Sequence, residues 1–168
     1  RQLAWRDWYA HLMSASPEIV SSPANPMYNK IEWRNNTEEF DLWIQGKTGY
    51  PIVDAGMREL KETGFMHNRV RMITGSFLVK HLLIDWRWGE QYFRHTLLDG
   101  DTSQNVGNWQ WVAGTGFDAA PYFRIFNPIR QSEKFDKEGF YIRKWVPELA
   151  SLSSKQIHSP WEINEKSP

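Results

Sequence analysis

Two short polar segments combine residue types that bind anions and the polar edges of rings. The segment Asn68-Arg69-Val70-Arg71 places two guanidinium groups on the first turn of a predicted helix, beside backbone N–H groups that lack an intrahelical partner. This arrangement favours a phosphate or a carboxylate. Asp99-Gly100-Asp101 supplies two carboxylate acceptors around a flexible glycine, which suit an amide edge, a ribose hydroxyl or an arginine. A structural ion pair of Arg71 with Asp99 or Asp101 is an equally simple interpretation.

Tryptophan is the other residue type that stands out. The chain holds 10 Trp among its 168 residues, and aromatic residues make up 15% of it. Two of the indoles, in Trp109-Gln110-Trp111, lie close to a glycine-containing turn. Indole faces stack on flat ring systems, at roughly 1–3 kcal/mol per stacked base. Most of the ten indoles are expected simply to pack in the core, so the residues by themselves predict a planar aromatic ligand and little more.

Composition excludes several classes of function. The 20 Lys and Arg balance the 20 Asp and Glu, so any anion site is a local patch on a neutral chain. There is no cysteine, which excludes disulfides and thiolate metal sites, and the five histidines lack the spacing of zinc ligands. Neither a GxxxxGK[ST] loop nor a GxGxxG turn occurs, and no nucleophile elbow supports a hydrolase.

Hydrophobic periodicity predicts an all-α protein, a compact bundle of short helices with long irregular loops. Thr37 is a candidate N-cap, Gly46 and Gly64 are candidate helix ends, and Asp101 is a candidate cap for the segment that contains Asn105. The predicted helices cover residues 2–14, 38–45, 51–63, 67–83, 85–97 and 140–145. Residues 121–139 are predicted to be irregular, and long ordered connections of this kind tend to carry function.

The domain organisation follows from the same pattern. We expect one helical domain over residues 1–150 and a loosely ordered C-terminal extension over residues 151–168. Because the chain begins without Met and directly in helical sequence, we expect it to be the C-terminal part of a larger domain.

Seven segments, taken together, resemble the flavin-binding helical domain of DNA photolyases and cryptochromes. The resemblance spans roughly residues 2–162. The matching segments are Leu3-Ala4-Trp5-Arg6-Asp7-Trp8-Tyr9, residues 46–55 (GKTGYPIVDA), residues 64–72 (GFMHNRVRM), Asp85-Trp86-Arg87, Leu98-Asp99-Gly100-Asp101, residues 105–111 (NVGNWQW) and residues 118–128 (DAAPYFRIFNP).

Four positions bear on the branch of this family. Trp111 stands where class I cyclobutane pyrimidine dimer photolyases stack a tryptophan on the dimer. Met72 stands where (6-4) photolyases carry a histidine, and Asn105 stands at the position that faces flavin N5, where plant cryptochromes carry Asp. The chain therefore looks most like a class I enzyme. Gln2 departs from that pattern, since many dimer photolyases have a lesion-binding Glu there.

The resemblance implies FAD as the cofactor and names the residues that would hold it. The FAD-contacting positions that it implies are Gln2, Arg6, Asn68, Arg71, Phe93, Asp99, Gly100, Asp101 and Asn105. An antenna chromophore, if present, would bind an N-terminal domain that this chain lacks. Since the family also holds the FAD diphosphate with residues upstream of Arg1, we expect the isolated chain to bind FAD weakly or not at all and to be inactive.

Further positions correspond to the DNA and electron-transfer sites of the family. Residues expected at the lesion are Gln2, Trp5, Asn68, Met72 and Trp111, and Arg69 and Arg124 are expected at backbone phosphates. Trp109, Trp86 and Trp33 match the family's tryptophan chain, which carries electrons between the surface and the flavin. Trp43, Trp145 and Trp161 are expected to pack in the core.

The function implied is light-driven repair of cyclobutane pyrimidine dimers, in which excited reduced FAD donates one electron to a flipped-out dimer and recovers it after the bonds split. One alternative is a blue-light photoreceptor of the cryptochrome type, and another is a helical nucleic-acid-binding module without cofactor. The expected partners are FAD and UV-damaged DNA. We expect a monomer in the cytoplasm, without a membrane segment or a metal site.

Overall fold

The computed structural model describes residues 2–118 and 124–163. These residues form helices and turns and contain no strand, which confirms the all-α prediction. The helices within them are α1 (Gln2–Ala15), α2 (Thr37–Gln45), α3 (Pro51–Thr63), α4 (Asn68–Ser76), α5 (Trp86–Thr96), α6 (Thr102–Ala113), α7 (Pro128–Phe135) and α8 (Phe140–Trp145). Single 3-10 turns cover Pro17–Val20, Pro26–Lys30, Pro147–Leu149 and Pro160–Ile163, and a π-helical turn, Phe77–His81, extends α4.

Local capping signals set most of the helix ends. Gly46 and Gly64 end α2 and α3 in the left-handed conformation, with φ of 63° and 67°, where a glycine carries no steric penalty. Asp101 caps α6 by accepting a hydrogen bond from a backbone N–H, as predicted. The predicted N-cap at Thr37 is wrong by one residue, because the side chain of Asn36 caps α2 and Thr37 is already helical.

Helix α7 lies inside the stretch 121–139 that we predicted to be irregular. Asn127 caps this helix and Pro128 occupies its first position, which is the local pattern that favours a helix start. The prediction of irregular chain is therefore wrong for residues 128–135. Residues 119–123 of the last matching segment, of which 121–123 also belong to the predicted irregular stretch, lie outside the described residues.

Two of the three tryptophans that we predicted to pack in the core are buried there. Trp43 is fully buried and Trp145 is buried, whereas Trp161 is 42% exposed and rests its ring against Tyr50 at a centroid distance of 5.3 Å. The prediction for Trp161 is wrong because its 3-10 turn lies on the surface of the bundle.

Part of the predicted extension 151–168 is packed on the helical domain. Ile157 is fully buried, and His158 is buried with its Nδ1 2.6 Å from the Oγ of Ser132 in α7. These residues are therefore not loosely ordered, which corrects the prediction for this part of the extension. Residues 164–168 lie outside the described residues.

Helix α6 positions the site because it packs against α1, α4 and α5. The close approach of α1 needs Gly107, where a Cβ atom would lie 2.2 Å from the Tyr9 ring. Helix α3 packs against α2, α4, α7 and α8 and so closes the other side of the bundle. Within the described part of the chain, no helix is both long and apolar enough to cross a membrane, and no cluster of His, Asp or Glu is arranged to hold a metal ion.

Candidate functional site

A cavity of about 480 Å³ lies between α1, α4, the end of α5 and α6. This volume lies within the range of small-molecule sites. Twelve of the residues singled out in the sequence line it: Gln2, Trp5, Asn68, Arg71, Met72, Phe93, Asp99, Gly100, Asp101, Asn105, Trp109 and Trp111. The predicted FAD and lesion positions are thus largely brought together in one place.

Arg71 and Asp99 form an ion pair at the edge of the cavity. Arg71 Nη2 lies 2.9 Å from both carboxylate oxygens of Asp99, and Arg71 Nε donates to the Met66 carbonyl at 2.7 Å. The carbonyl anchors the guanidinium at the start of α4, so the carboxylate just beyond α5 is held against it. The structural interpretation of Arg71 is therefore correct, and because both residues line the cavity it does not exclude binding.

Asp101 combines a capping role with a place at the cavity wall. Its Oδ1 accepts hydrogen bonds from the Ser103 hydroxyl at 2.5 Å and from the Gln104 backbone N–H at 2.9 Å. The hydroxyl bond, followed by the backbone bond, lowers the pKa of Asp101 below its usual value. Asp101 is therefore an ionised acceptor at neutral pH.

The side-chain amide of Asn105 is fixed by two hydrogen bonds that its nitrogen donates to Glu90. Its Nδ2 donates to the Glu90 backbone carbonyl at 2.8 Å and to Glu90 Oε1 at 2.9 Å. Glu90 is buried, with 2% exposure, and its carboxylate forms an ion pair with Arg94. Arg94 Nε donates to Glu90 Oε1 at 2.9 Å, and Arg94 Nη2 pairs with Glu90 Oε2. Asn105 thus faces the cavity from a fixed support on α5.

The three tryptophans of the predicted electron chain occupy different depths. Trp109 lines the cavity and packs its ring against Phe93 and Trp43, at centroid distances of 5.0 and 6.2 Å. Trp86 is buried at the start of α5, and Trp33 is half-buried in the connection before α2. Among the described residues, neither Trp86 nor Trp33 makes a direct ring contact with Trp109.

Of the three predicted arginines outside the cavity, Arg6 and Arg124 are exposed and Arg69 is half-buried. Arg6 pairs with its neighbour Asp7, its Nη2 lying 3.0 Å from Oδ1. Arg69 stacks its guanidinium 4.5 Å from the centre of the Phe135 ring. Arg124 is exposed and follows the gap in the described residues.

Sequence reasoning missed several residues of the cavity wall. These are Tyr9, Gly75, Leu97, Gln104, Asn108, Val112 and Asp118. Asn108 and Val112 follow Asn105 at helical spacing, so the amphipathic face of α6 was a usable signal. Tyr9 carried no such signal, because its place depends on the contact between α1 and α6. Burial, with a smaller contribution from the Asp118 carboxylate, raises the pKa of Tyr9 to about 12.

The sequence matches a known family model over residues 1–168, that of the FAD binding domain of DNA photolyase. The deoxyribodipyrimidine photo-lyase of Vibrio cholerae is 57% identical over 161 residues, and that of Escherichia coli is 54% identical over 166 residues. These alignments cover 95% and 98% of this chain but 34% and 35% of the relatives. The chain therefore spans about a third of the length of the curated relatives it matches.

Solved structures are similar over the same region. A bacterial class III photolyase from Agrobacterium tumefaciens superimposes with a TM-score of 0.93 at 54% identity, over 99% of this chain and 34% of that one. An archaeal photolyase from Sulfolobus tokodaii with two FAD molecules gives 0.93 at 47% identity, over 100% and 38%. A cryptochrome from Synechocystis gives 0.90 at 43% identity, over 96% and 33%.

Proposed function

Because this chain belongs to the family of the FAD-binding domain of DNA photolyases, we propose that it binds FAD in the cavity between α1, α4, α5 and α6 and serves the light-driven splitting of cyclobutane pyrimidine dimers in DNA. One observation carries the proposal: a single cavity combines polar groups for the edge of a flavin ring with an aromatic wall for damaged bases.

The donor and acceptor set of the cavity fits FAD. The Asp99 and Asp101 carboxylates and the Asn105 amide offer acceptors, and Arg71 offers a guanidinium. Phe93 adds an apolar surface. These groups complement a planar ring that carries both N–H and carbonyl groups on its edge. When bound, FAD supplies a photoexcited electron that is lent to the dimer and regained, so no net redox change occurs.

The aromatic wall is proposed to receive the dimer. Trp5, Met72 and Trp111 line the cavity together, and the Gln2 side chain stands beside them. A dinucleotide must leave the duplex to reach such a site, which costs a few kcal/mol of unstacking and is least costly for a damaged pair. Stacking on the indoles offsets that cost and favours the lesion over intact bases.

Arg69 and Arg124 are proposed to hold the phosphates that flank the lesion. The Arg124 side chain is exposed and the Arg69 side chain is half-buried, and Lys134 lies beside the Arg69–Phe135 contact, its Nζ 5.4 Å from the same ring centre. A local cluster of this kind is compatible with the zero net charge of the chain. Phosphate contacts position the duplex, and the cavity provides the selectivity.

Trp109, Trp86 and Trp33 are proposed to deliver electrons from the surface towards the cavity. Their graded burial supports this role, since Trp109 borders the cavity and Trp33 is half-buried towards solvent. All three indoles also pack in or against the core. The three indoles would therefore both transfer electrons and stabilise the core.

A binding experiment on the full-length protein tests the DNA part of this proposal. A duplex with one cyclobutane dimer is compared with the same duplex undamaged, over a series of salt concentrations. We expect the wild type to prefer the damaged duplex. Arg69→Ala and Arg124→Ala should weaken binding to both and lower the salt slope by about 1 each. Trp111→Ala should weaken only the lesion preference.

The control is Lys61→Ala, which removes an exposed cation at the end of α3, on a different face of the bundle from the site. It should leave both affinities unchanged. Equal affinity for the two duplexes, or unchanged salt slopes in the arginine variants, would contradict the proposed DNA site.

The finer assignments remain proposals of the same kind. Class I specificity is supported by Met72, Asn105 and Trp111, although one solved relative is described as a class III photolyase. The monomeric state stays a prediction. The cytoplasm is the proposed location because the proposed substrate, DNA, lies there in the bacteria from which several relatives come.

A further inference from the structure

Asn35 and Leu83 have left-handed backbone conformations, which residues other than glycine rarely adopt. Their φ angles are 47° and 54°, and within the described residues they are the two non-glycine positions with positive φ. This conformation is strained for a residue with a Cβ atom, and more so for leucine than for asparagine. Because Leu83 is 42% exposed, burial of its side chain does not explain the strain. Strained residues of this kind persist where the surrounding structure enforces them, and they cluster at functional sites.

Two hydrogen bonds join the segments that carry these strained residues. The Arg34 backbone N–H donates to the Leu83 carbonyl at 2.8 Å. The Asp85 backbone N–H donates to Asn35 Oδ1 at 2.9 Å. We call this pair of hydrogen bonds the clamp. Asparagine suits its position in the clamp because it tolerates the left-handed conformation and also carries a side-chain acceptor.

The two segments that the clamp joins carry the outer two tryptophans of the proposed relay. Trp33 comes directly before Arg34, and Trp86 comes directly after Asp85. Each indole is therefore one residue away from a backbone N–H group of the clamp. Electron transfer slows exponentially as the distance between donor and acceptor grows. The spacing that the clamp imposes on the two segments therefore bears on the electron-transfer step between these indoles.

The two sides of the clamp differ in how firmly the rest of the fold holds them. Ile84 is fully buried, and Asp85 and Trp86 are 5% and 1% exposed. The Ile84 backbone N–H also donates to the Leu78 carbonyl at 3.2 Å, which ties this segment to the turn that follows α4. Trp33 is only half-buried and lies in residues 31–36, which form no helix. Loss of a clamp bond is therefore expected to displace Trp33 and to leave Trp86 in place.

We infer that Asn35 is a positioning residue that holds the Trp33 indole, through the clamp, at the distance from Trp86 that the outer electron-transfer step requires. The inference rests on the proposed relay, in which one electron passes from Trp33 to Trp86, on to Trp109 and into the cavity. Each step moves the oxidised indole one position outwards. When the outer step is complete, the oxidised indole is Trp33, which lies farthest from the cavity and recovers its electron from there most slowly. If Trp33 is displaced, the oxidised indole stays at Trp86 and recovers its electron sooner.

A flash experiment on the full-length protein, loaded with oxidised FAD, tests the inference without relying on repair. The absorbance of oxidised tryptophan is followed from the flash until it has decayed. Asn35→Gly removes the side-chain acceptor but keeps a residue that adopts the left-handed conformation without steric cost. We expect the early signal, which reports the electron lost by Trp109, to match the wild type. Most of the long-lived signal, which reports oxidised Trp33, should be lost.

Hydrogen exchange gives a second readout, which needs no light. The Asp85 amide hydrogen is protected by its bond to Asn35 Oδ1. In the dark, the peptide that contains Asp85 should exchange faster in Asn35→Gly than in the wild type. An unchanged exchange rate would show that the clamp does not hold this segment, and would overturn the inference.

Asn36→Gly is the matched control, because it makes the same exchange one residue further along the chain. Asn36 Oδ1 also accepts one backbone N–H, that of Glu39 at 3.0 Å, but this bond caps α2 and does not belong to the clamp. Asn36→Gly should therefore keep the long-lived signal of the wild type. Asn35→Asp is the conservative variant, since aspartate keeps both the acceptor and the tolerance of the left-handed conformation. It should also keep the long-lived signal.

A double-mutant cycle shows whether Asn35 acts through Trp33. In a Trp33→Phe background the outer step cannot occur, so Asn35→Gly should cause no further loss. A further loss there, an equal loss in Asn36→Gly, or a wild-type signal in FAD-loaded Asn35→Gly would overturn the inference. If Asn35→Gly does not fold, Asn35→Ala removes the same acceptor and carries the same expectations. A wild type that binds FAD but shows no oxidised tryptophan after the flash would instead contradict the proposed relay and remove the inference with it.

Discussion

Arg71 Nη2 lies 2.9 Å from both carboxylate oxygens of Asp99, although the two residues are 28 positions apart. The pair joins the first turn of α4 to the chain beyond α5 and so closes one edge of the cavity. The Asp99 side chain is still 53% exposed, which leaves its carboxylate free to accept from a ligand as well. A pair that is structural in geometry is therefore also available for binding.

Asp99→Asn is expected to weaken FAD retention far more than it weakens the fold. An exposed ion pair stabilises a protein by about 0–1 kcal/mol, so unfolding should change little. A charge-assisted hydrogen bond to a ligand is worth about 1.5–3 kcal/mol, so FAD dissociation should be at least about tenfold faster. The measurements are flavin content after gel filtration and urea unfolding of the full-length protein. Glu148→Gln breaks a comparable pair with Arg58 and should keep its FAD; an Asp99→Asn protein with wild-type flavin content would show that Asp99 does not bind FAD.

Gly89→Ala and Gly75→Ala form a matched pair around Trp109. A Cβ at Gly89 would lie 2.2 Å from Trp109 Cη2, whereas a Cβ at Gly75 would lie 3.5 Å from the nearest Trp109 atom. We expect Gly89→Ala to lower the free energy of unfolding by about 1–3 kcal/mol through overpacking. Gly75→Ala should be neutral or stabilising, since alanine favours a helix by roughly 0.5–1 kcal/mol. Urea unfolding of both proteins checks the pair, and equal stabilities would contradict this packing of Trp109.

Trp109→Phe is expected to stop the light-driven reduction of bound oxidised FAD. The indole bordering the cavity is the proposed last donor of the relay, and a phenyl ring is much harder to oxidise. Absorbance during illumination with a thiol reductant measures the rate. Trp145→Phe removes a buried indole outside the relay and should reduce FAD at the wild-type rate. Equal rates for Trp109→Phe and the wild type would exclude Trp109 as an obligatory donor.

The stability of the fold is expected to fall above about pH 10. Burial raises the pKa of Tyr9 to about 12, against about 10 in the unfolded chain. The folded state therefore keeps this proton while the unfolded state loses it, so the stabilisation is complete below pH 10 and is lost as the pH rises through about 12. Urea unfolding between pH 9 and pH 12 measures the slope. Tyr9→Phe should reduce the slope of the unfolding free energy against pH. Part of the slope should remain and come from Tyr141, because burial and the bond to Glu59 also raise the pKa of Tyr141. An unchanged slope in Tyr9→Phe would contradict the burial of this hydroxyl.

Local signals account for the parts of the fold that the sequence predicts. The ends of α2 and α3 depend on Gly46 and Gly64, and the start of α6 depends on Asp101, each within one turn of the chain. The start of α7 at Asn127-Pro128 carries the same kind of local signal, so this helix too is predictable from the sequence.

Contacts between residues distant in the chain account for the parts of the fold and the site that the sequence does not predict. Residue type and periodicity do not distinguish the buried Trp145 from the exposed Trp161, because burial depends on which distant residues each indole meets, as Trp161 meets Tyr50. The Glu90–Asn105 bonds join two helices, and their spacing of 15 residues matches no helical period. Twelve of the predicted site positions line one cavity, but the groups that orient them emerge only from the packing.

Light-dependent repair of a defined lesion tests the central claim most directly. The full-length protein, loaded with reduced FAD, is mixed with an oligonucleotide that contains one cyclobutane thymine dimer, and one half is illuminated while the other stays dark. Loss of the dimer is measured by chromatography of the oligonucleotide from each half. We predict intact thymines in the illuminated half only, with multiple turnovers per protein. FAD-loaded protein that binds the dimer but leaves it unchanged in the light would contradict the account.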